Sequence, residues 1–281
     1  MSLLFIYWNP SRIFFTMPFV NIPITFYGCL FATGFILSAN LFFFILKKNF
    51  ENNNIQILPH ELNKFFDRLC LYGALSIVVG SRIGHVLFYD LPFYLKNPLK
   101  ILKIWEGGLS SYGGVIAIFI FLFAIVSFYK KKLLPISFFL LTDIMAIVFG
   151  FFASMVRLGN FFNQEIIGIK TRMPWGVYFA NNYSCIINGP VHPVQIYESF
   201  FYLLVFICLF TYWKRKKISL GKGFFTAVTC IVLPLGRFIL EFYKENTSLL
   251  LPGHFLLTMG QILSLPFLLF GLTLLFKRIK I

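Results

Sequence analysis

The chain has 281 residues, of which 58% are hydrophobic and only 12% charged, and its mean hydropathy is +0.80. This composition excludes an ordinary soluble domain and indicates a multi-span membrane protein. The net charge of +15 does not indicate nucleic acid, because the basic residues form short runs between apolar segments and no continuous stripe or nucleic-acid module.

The N-terminal MSLLFIYWNPSRIFF has no basic region ahead of its apolar residues, and Asn9-Pro10 interrupts it. It therefore reads as a retained interfacial segment on the outer leaflet, held through Tyr7, Trp8, Phe14 and Phe15, and not as a cleavable signal. Seven apolar segments follow, near 24–46, 68–88, 110–129, 134–156, 194–213, 222–241 and 255–276. Each is long enough for a hydrocarbon core that takes roughly 20 helical residues to cross.

Basic runs close alternate segments: Lys47-Lys48, Lys130 to Lys132, Lys214 to Lys217, and Lys277, Arg278 and Lys280. If Lys and Arg accumulate on the cytoplasmic side, the expected topology has the N-terminus outside and the C-terminus in the cytoplasm. The expected fold is thus all-α, a single integral membrane domain over residues 1–281 with seven transmembrane helices. Segment 49–67 reads as a polar cytoplasmic loop, 89–109 as an outer-face arm, and 157–193 as an outer-face loop domain. No internal repeat is visible.

Polar constellations interrupt the apolar background. Arg82 and His85, in SRIGHVLFYD, share a helical face at i, i+3. EGGLSSYGG combines four glycines with Ser110, Ser111 and Tyr112, a pattern for close helix packing or for a lined cavity. RLGNFFNQEIIG, Arg157 to Gly168, brings an arginine, two asparagines and a glutamate to the end of an apolar run, where ionisable groups are costly and mark sites. HPVQIYE opens the fifth segment with Pro193 suited to the first helical turn. In LGRFILEFYKE, Arg237 and Glu241 stand at i, i+4 and can pair. Gln261, in MGQ, needs a hydrogen-bond partner if it faces the bundle interior.

A single arginine at a span end often only snorkels to headgroups. Two of them with carboxylates nearby point to an anion site on the outer face. Of the five cysteines, Cys29, Cys70, Cys208 and Cys230 fall within or at the ends of spans and read as small buried apolar residues, while Cys185 lies in an outer loop without a partner. His60, His85, His192 and His254 are widely separated. No metal site and no cofactor are expected.

The segments together resemble the bacterial prolipoprotein diacylglyceryl transferase family. The resemblance runs along nearly the whole chain, through FYG at Phe26 to Gly28, RIGHVLFY, GGLSSYGG, RLGNFFNQEIIG, PWGVYF at Pro174 to Phe179, HPVQIYE, GRFILEF at Gly236 to Phe242, and MGQ. Each is weak alone; eight in order are highly specific. The resemblance implies transfer of the diacylglyceryl group of phosphatidylglycerol to the lipobox cysteine of a preprolipoprotein signal peptide, forming a thioether and releasing glycerol phosphate. The implied location is the bacterial cytoplasmic (inner) membrane, with the active site toward its outer face. The implied partners are phosphatidylglycerol, these signal peptides and membrane lipids.

It also implies roles. Arg157 takes the lipid phosphate, and Arg237 the departing phosphate or the approaching thiolate; guanidinium suits both, being planar and permanently charged. Tyr27, Asn160, Glu165 and Gly168 match phosphatidylglycerol-binding positions. Asn160 and Glu165 suit the glycerol hydroxyls, Glu241 holds Arg237, and Gly168 permits a turn.

Tyr112 occupies the position where the family commonly has a histidine proposed as general base, and a phenol with an ordinary pKa near 10 is a poor base at neutral pH. The alternatives are thiolate formation assisted by the arginines alone, a lipid-orienting Tyr112, and His85 as a displaced base. His192 is a candidate for positioning the peptide. The rival from another class is a multi-span transporter of an anionic solute using Arg157 and Arg237, although such proteins commonly show paired repeats.

Overall fold

The computed structural model describes residues 5–18, 21, 23–104, 107–130, 135–180, 189–215, 218–245 and 257–279. Cys185, His254, Lys131, Lys132, Lys216, Lys217 and Lys280, all used in the reading above, lie outside the described residues.

Helices dominate: α1 (Phe26–Asn52), α2 (Pro59–Phe88), the short α3 (Leu91–Lys96), α4 (Ser111–Lys130), α5 (Phe138–Asn163), α6 (Val194–Lys214), α7 (Phe224–Leu240) and α8 (Met259–Ile279). Among the described residues seven are long and apolar enough to cross a membrane, all but α3. Only a helix or a closed barrel satisfies its backbone in hydrocarbon, so uninterrupted apolar runs of this length become helices. Pro234 in α7 and Pro266 in α8 are accommodated inside their helices.

Among the described residues there are also four short strands. β1 (Ile6–Trp8) pairs in parallel with β4 (Val177–Phe179), and β2 (Ile13–Thr16) pairs antiparallel with β3 (Pro23–Thr25). Tyr7, Phe14 and Phe15 are exposed. Trp8 instead packs on Phe161, with ring centroids 4.6 Å apart, and its Nε1–H donates to the Phe161 carbonyl at 3.2 Å. It joins a small core of Ile167, Val177, Phe179 and Val191.

Two helix boundaries differ from expectation. The region read as a polar loop, 49–67, is mostly helical, because α1 runs to Asn52 and α2 begins at Pro59. Leu62, Phe65 and Leu69 are buried at helical spacing while Glu61, Lys64 and Asp67 are exposed, so this is an amphipathic extension whose polar face hid it from a hydropathy reading. Likewise α5 continues to Asn163, which places Arg157 and Asn160 on its last two turns and not in a loop.

The chain divides into two compact units. One comprises residues 1–42, 145–219 and 224–281, and the other 43–144 with 220–223. In the first, helices approach closely at glycines: a Cβ on Gly150 of α5 would lie 2.6 Å from the Tyr202 carbonyl oxygen of α6, and one on Gly271 of α8 would lie 2.9 Å from that of Ala227 in α7. In the second, Gly80 and Gly84 of α2 meet Gly113 of α4. Such small-residue contacts replace the hydrophobic driving force that lipid removes. Packing thus accounts for Gly113, and for Gly114 against Ser81, in the glycine-rich motif. Gly107 and Gly108 have φ of 88° and 71°, a left-handed backbone that suits glycine.

Candidate active site

In the first unit, one end of the bundle gathers an unusual density of buried charge. It is formed where α5 and α7 finish and α6 and α8 begin. On α5, the Arg157 Nη1 donates to Asn160 Oδ1 at 3.2 Å, and Asn160 Nδ2 donates to Glu165 Oε1 at 2.6 Å. The chain returns Glu165 to Asn160 through a helix-terminating turn. The Gln164 N–H donates to the Phe161 carbonyl and the Glu165 N–H to the Asn160 carbonyl, with Gln164 at φ 57°. This is a Schellman-type end with glutamine where glycine is usual, a local cost of the kind found at functional sites.

The turn expected at Gly168 is therefore made by Gln164 and Ile166, whose φ is also 57°. Gly168 answers a different need. It is pinned against the next segment, its N–H donating to the His192 carbonyl at 3.1 Å, and a Cβ there would lie 2.7 Å from Val194 Cγ2. Tyr27, in the first turn of α1, covers Gly159 and lies within electrostatic reach of both Arg157 and Glu165.

On α6, Glu198 is fully buried. Its Oε2 stands 2.9 Å from Arg157 Nε and its Oε1 2.9 Å from Lys244 Nζ, while Arg237 acts on it electrostatically. One turn earlier, Gln195 Nε2 donates to the Glu165 carbonyl at 2.7 Å. Glu241 follows directly on α7 as the first residue of a 3-10 turn, Glu241–Tyr243. Its carboxylate accepts from Lys244 Nζ at 2.9 Å and from the Thr258 hydroxyl at 3.1 Å. Gly260 leaves the room this requires: a Cβ there would meet Glu241 Oε1 at 2.6 Å. Gln261 has the partners its burial demands, accepting from the Thr258 N–H at 2.9 Å and donating to the Phe238 carbonyl at 3.4 Å.

The second unit holds Arg82, His85 and Tyr112. Arg82 is buried and its guanidinium donates to the carbonyls of Ile101, Gly107, Gly108, Lys100 and Lys103 at 2.5 to 3.2 Å, with the Tyr94 ring 5.1 Å away. Arg82 and His85 do share a face, for both lie against Gly108. His85 stacks on Tyr89 at 5.6 Å, and Tyr112 is buried in the first turn of α4.

The chain matches the family described as prolipoprotein diacylglyceryl transferase over residues 12–277. It is 38% identical to the phosphatidylglycerol–prolipoprotein diacylglyceryl transferase of Chlamydia caviae, over 96% of this chain and 91% of the relative. Identity is 39% to that of Chlamydia muridarum, covering 98% of both, and 38% to that of Porphyromonas gingivalis, covering 98% of this chain and 95% of the relative. The chain belongs to this family.

A prolipoprotein diacylglyceryl transferase is an enzyme, which favours the transferase reading over the anion transporter. Within this family member, one compact unit brings together Tyr27, Arg157, Asn160, Glu165, Arg237 and Glu241, the positions singled out by the motifs, while Tyr112 and His85 belong to the other unit. Glu198 and Lys244 went unnoticed in the sequence, although a carboxylate inside HPVQIYE carried its own signal: an acidic residue in an apolar span needs a partner. Lys244 gave no such sign, lying among polar residues after the sixth span.

Proposed function

We propose that this chain transfers the diacylglyceryl group of phosphatidylglycerol to the lipobox cysteine thiol of preprolipoproteins at the outer face of the bacterial cytoplasmic membrane. The thiol sulfur attacks the glyceryl carbon that bears the phosphate, the carbon–oxygen bond breaks, and glycerol phosphate departs with the electron pair as the thiol proton is lost. The site must then offer cations to the phosphate and acceptors to the headgroup hydroxyls.

The observation that carries this reading is the hydrogen-bonded series from Arg157 through Asn160 to Glu165. It sets a guanidinium for the phosphodiester next to a polar pair suited to a glycerol headgroup. Arg237 serves the departing phosphate or the thiolate, and neighbouring cations favour thiolate formation. The topology follows from the basic runs, with the N-terminus outside and the charged end of the bundle facing away from the cytoplasm.

The test is mass spectrometry of a lipobox peptide incubated with the purified protein and defined phospholipids. A diacylglyceryl adduct is expected with phosphatidylglycerol, together with stoichiometric glycerol phosphate, and none with phosphatidylcholine or with a Cys→Ser peptide. Glycerol phosphate released without peptide modification would refute transfer.

A further inference from the structure

We infer that Glu198 is a positioning residue that aims the phosphate-binding edge of Arg157, with Lys244 as the second cation sharing its carboxylate. This rests on the transferase reading above. Glu198 is completely buried in the second turn of α6, and its two oxygens are divided between cations, Oε2 to Arg157 Nε and Oε1 to Lys244 Nζ, each at 2.9 Å.

The geometry gives this division a consequence for Arg157. A guanidinium has five N–H donors in one plane. Glu198 forms an ion pair with the Nε side at 2.9 Å, and Nη1 donates to Asn160 Oδ1 at 3.2 Å. The plane is thereby held from two sides, and under this inference the Nη2 edge takes the phosphate oxygens. A lysine-like point charge would need no such support, but a planar fork binds phosphate only when its edge is correctly aimed.

Glu198 also connects this arginine to the far side of the site. Lys244 continues to Glu241 at 2.9 Å, and Glu241 to Thr258 at 3.1 Å, so cations and carboxylates alternate from α5 to the start of α8. Gln195, on the same face of α6 at i−3, holds the backbone of Glu165. One helical face thus fixes both the phosphate-binding and the hydroxyl-binding ends of the series. A fully buried carboxylate is costly unless paired, and removing one partner of such a pair costs more than removing both.

That asymmetry supplies the test. Purified full-length wild type, Glu198→Asp and the double variant Glu198→Gln/Lys244→Gln are compared in vesicles of graded phosphatidylglycerol content, with a saturating lipobox peptide. The double variant removes both charges and leaves Arg157 and Glu241 each short of one partner, so its thermal midpoint is expected to fall, and in the folded protein kcat/KM for phosphatidylglycerol drops by about a hundredfold or more. Glu198→Asp keeps the charge but retracts it by one methylene, and should raise KM for phosphatidylglycerol roughly tenfold with kcat within about threefold.

Wild-type kcat/KM in the double variant would mean that Glu198 only neutralises Lys244, and would overturn the inference. So would an unchanged KM in Glu198→Asp, which decides the matter alone if the double variant does not fold. Wild-type protein yielding no thioether product would instead remove the transferase reading itself, a result distinct from an active wild type with undiminished variants.

Discussion

Tyr27 lies over Gly159, which precedes Asn160 and stands two residues after Arg157 on α5: a methyl group at position 159 would stand 2.7 Å from Tyr27 Cδ2 and 3.3 Å from its Cα. Because the tyrosine backbone is also in the way, a side-chain rotation does not relieve the clash. Gly159→Ala is expected to lower transfer about tenfold or more by displacing Tyr27, at a local cost of about 1 to 3 kcal/mol. Initial rates and circular dichroism together check this; unchanged rates would mean that the close approach does not matter.

Arg157 meets Glu198 and Asn160 through separate nitrogens. Arg157→Ala should abolish transfer while membrane insertion persists. Arg157→Lys should recover little, because one ammonium cannot span both partners and a phosphate; a loss of about 3 kcal/mol in transition-state stabilisation is expected. Single-turnover rates of the two variants read this directly, and near-wild-type turnover by Arg157→Lys would remove the bidentate role.

Arg82 ties α2 to the backbone of residues 100–108 through five carbonyls. Arg82→Lys has three donors on a single nitrogen and leaves several of these half-exposed acceptors to water, losing about 1 kcal/mol for each hydrogen bond given up. The expected result is a lower thermal midpoint and faster amide exchange at Lys103 and Gly108. Exchange rates equal to wild type would show that the segment holds itself in place.

Tyr112 and His85 separate the accounts of the thiol proton. Tyr112→Phe should reduce transfer by about tenfold, the worth of one hydrogen bond to a charged group. His85→Phe should leave it within about twofold, since the ring is placed by stacking on Tyr89. Full activity in both variants would leave arginine-assisted thiolate formation as the remaining route, whereas loss in His85→Phe would assign the base there.

The seven spans were legible because membrane insertion is a local requirement: each run must be apolar for about 20 residues wherever its neighbours lie. The motifs around Arg157 and Arg237 were legible for the same reason, as polar residues standing against an apolar background. Helix ends were less so, since residues 59–67 and 157–163 combine polar side chains with helical order. What only the tertiary structure decided is which charges meet. Glu198 reaches Arg157 and Lys244 from a different helix, and Glu241 turns to Lys244 and Thr258 once α7 ends. Hydropathy and spacing describe a residue's own segment, whereas an ion pair between segments depends on which helix ends come together, and that is set by packing across the whole bundle.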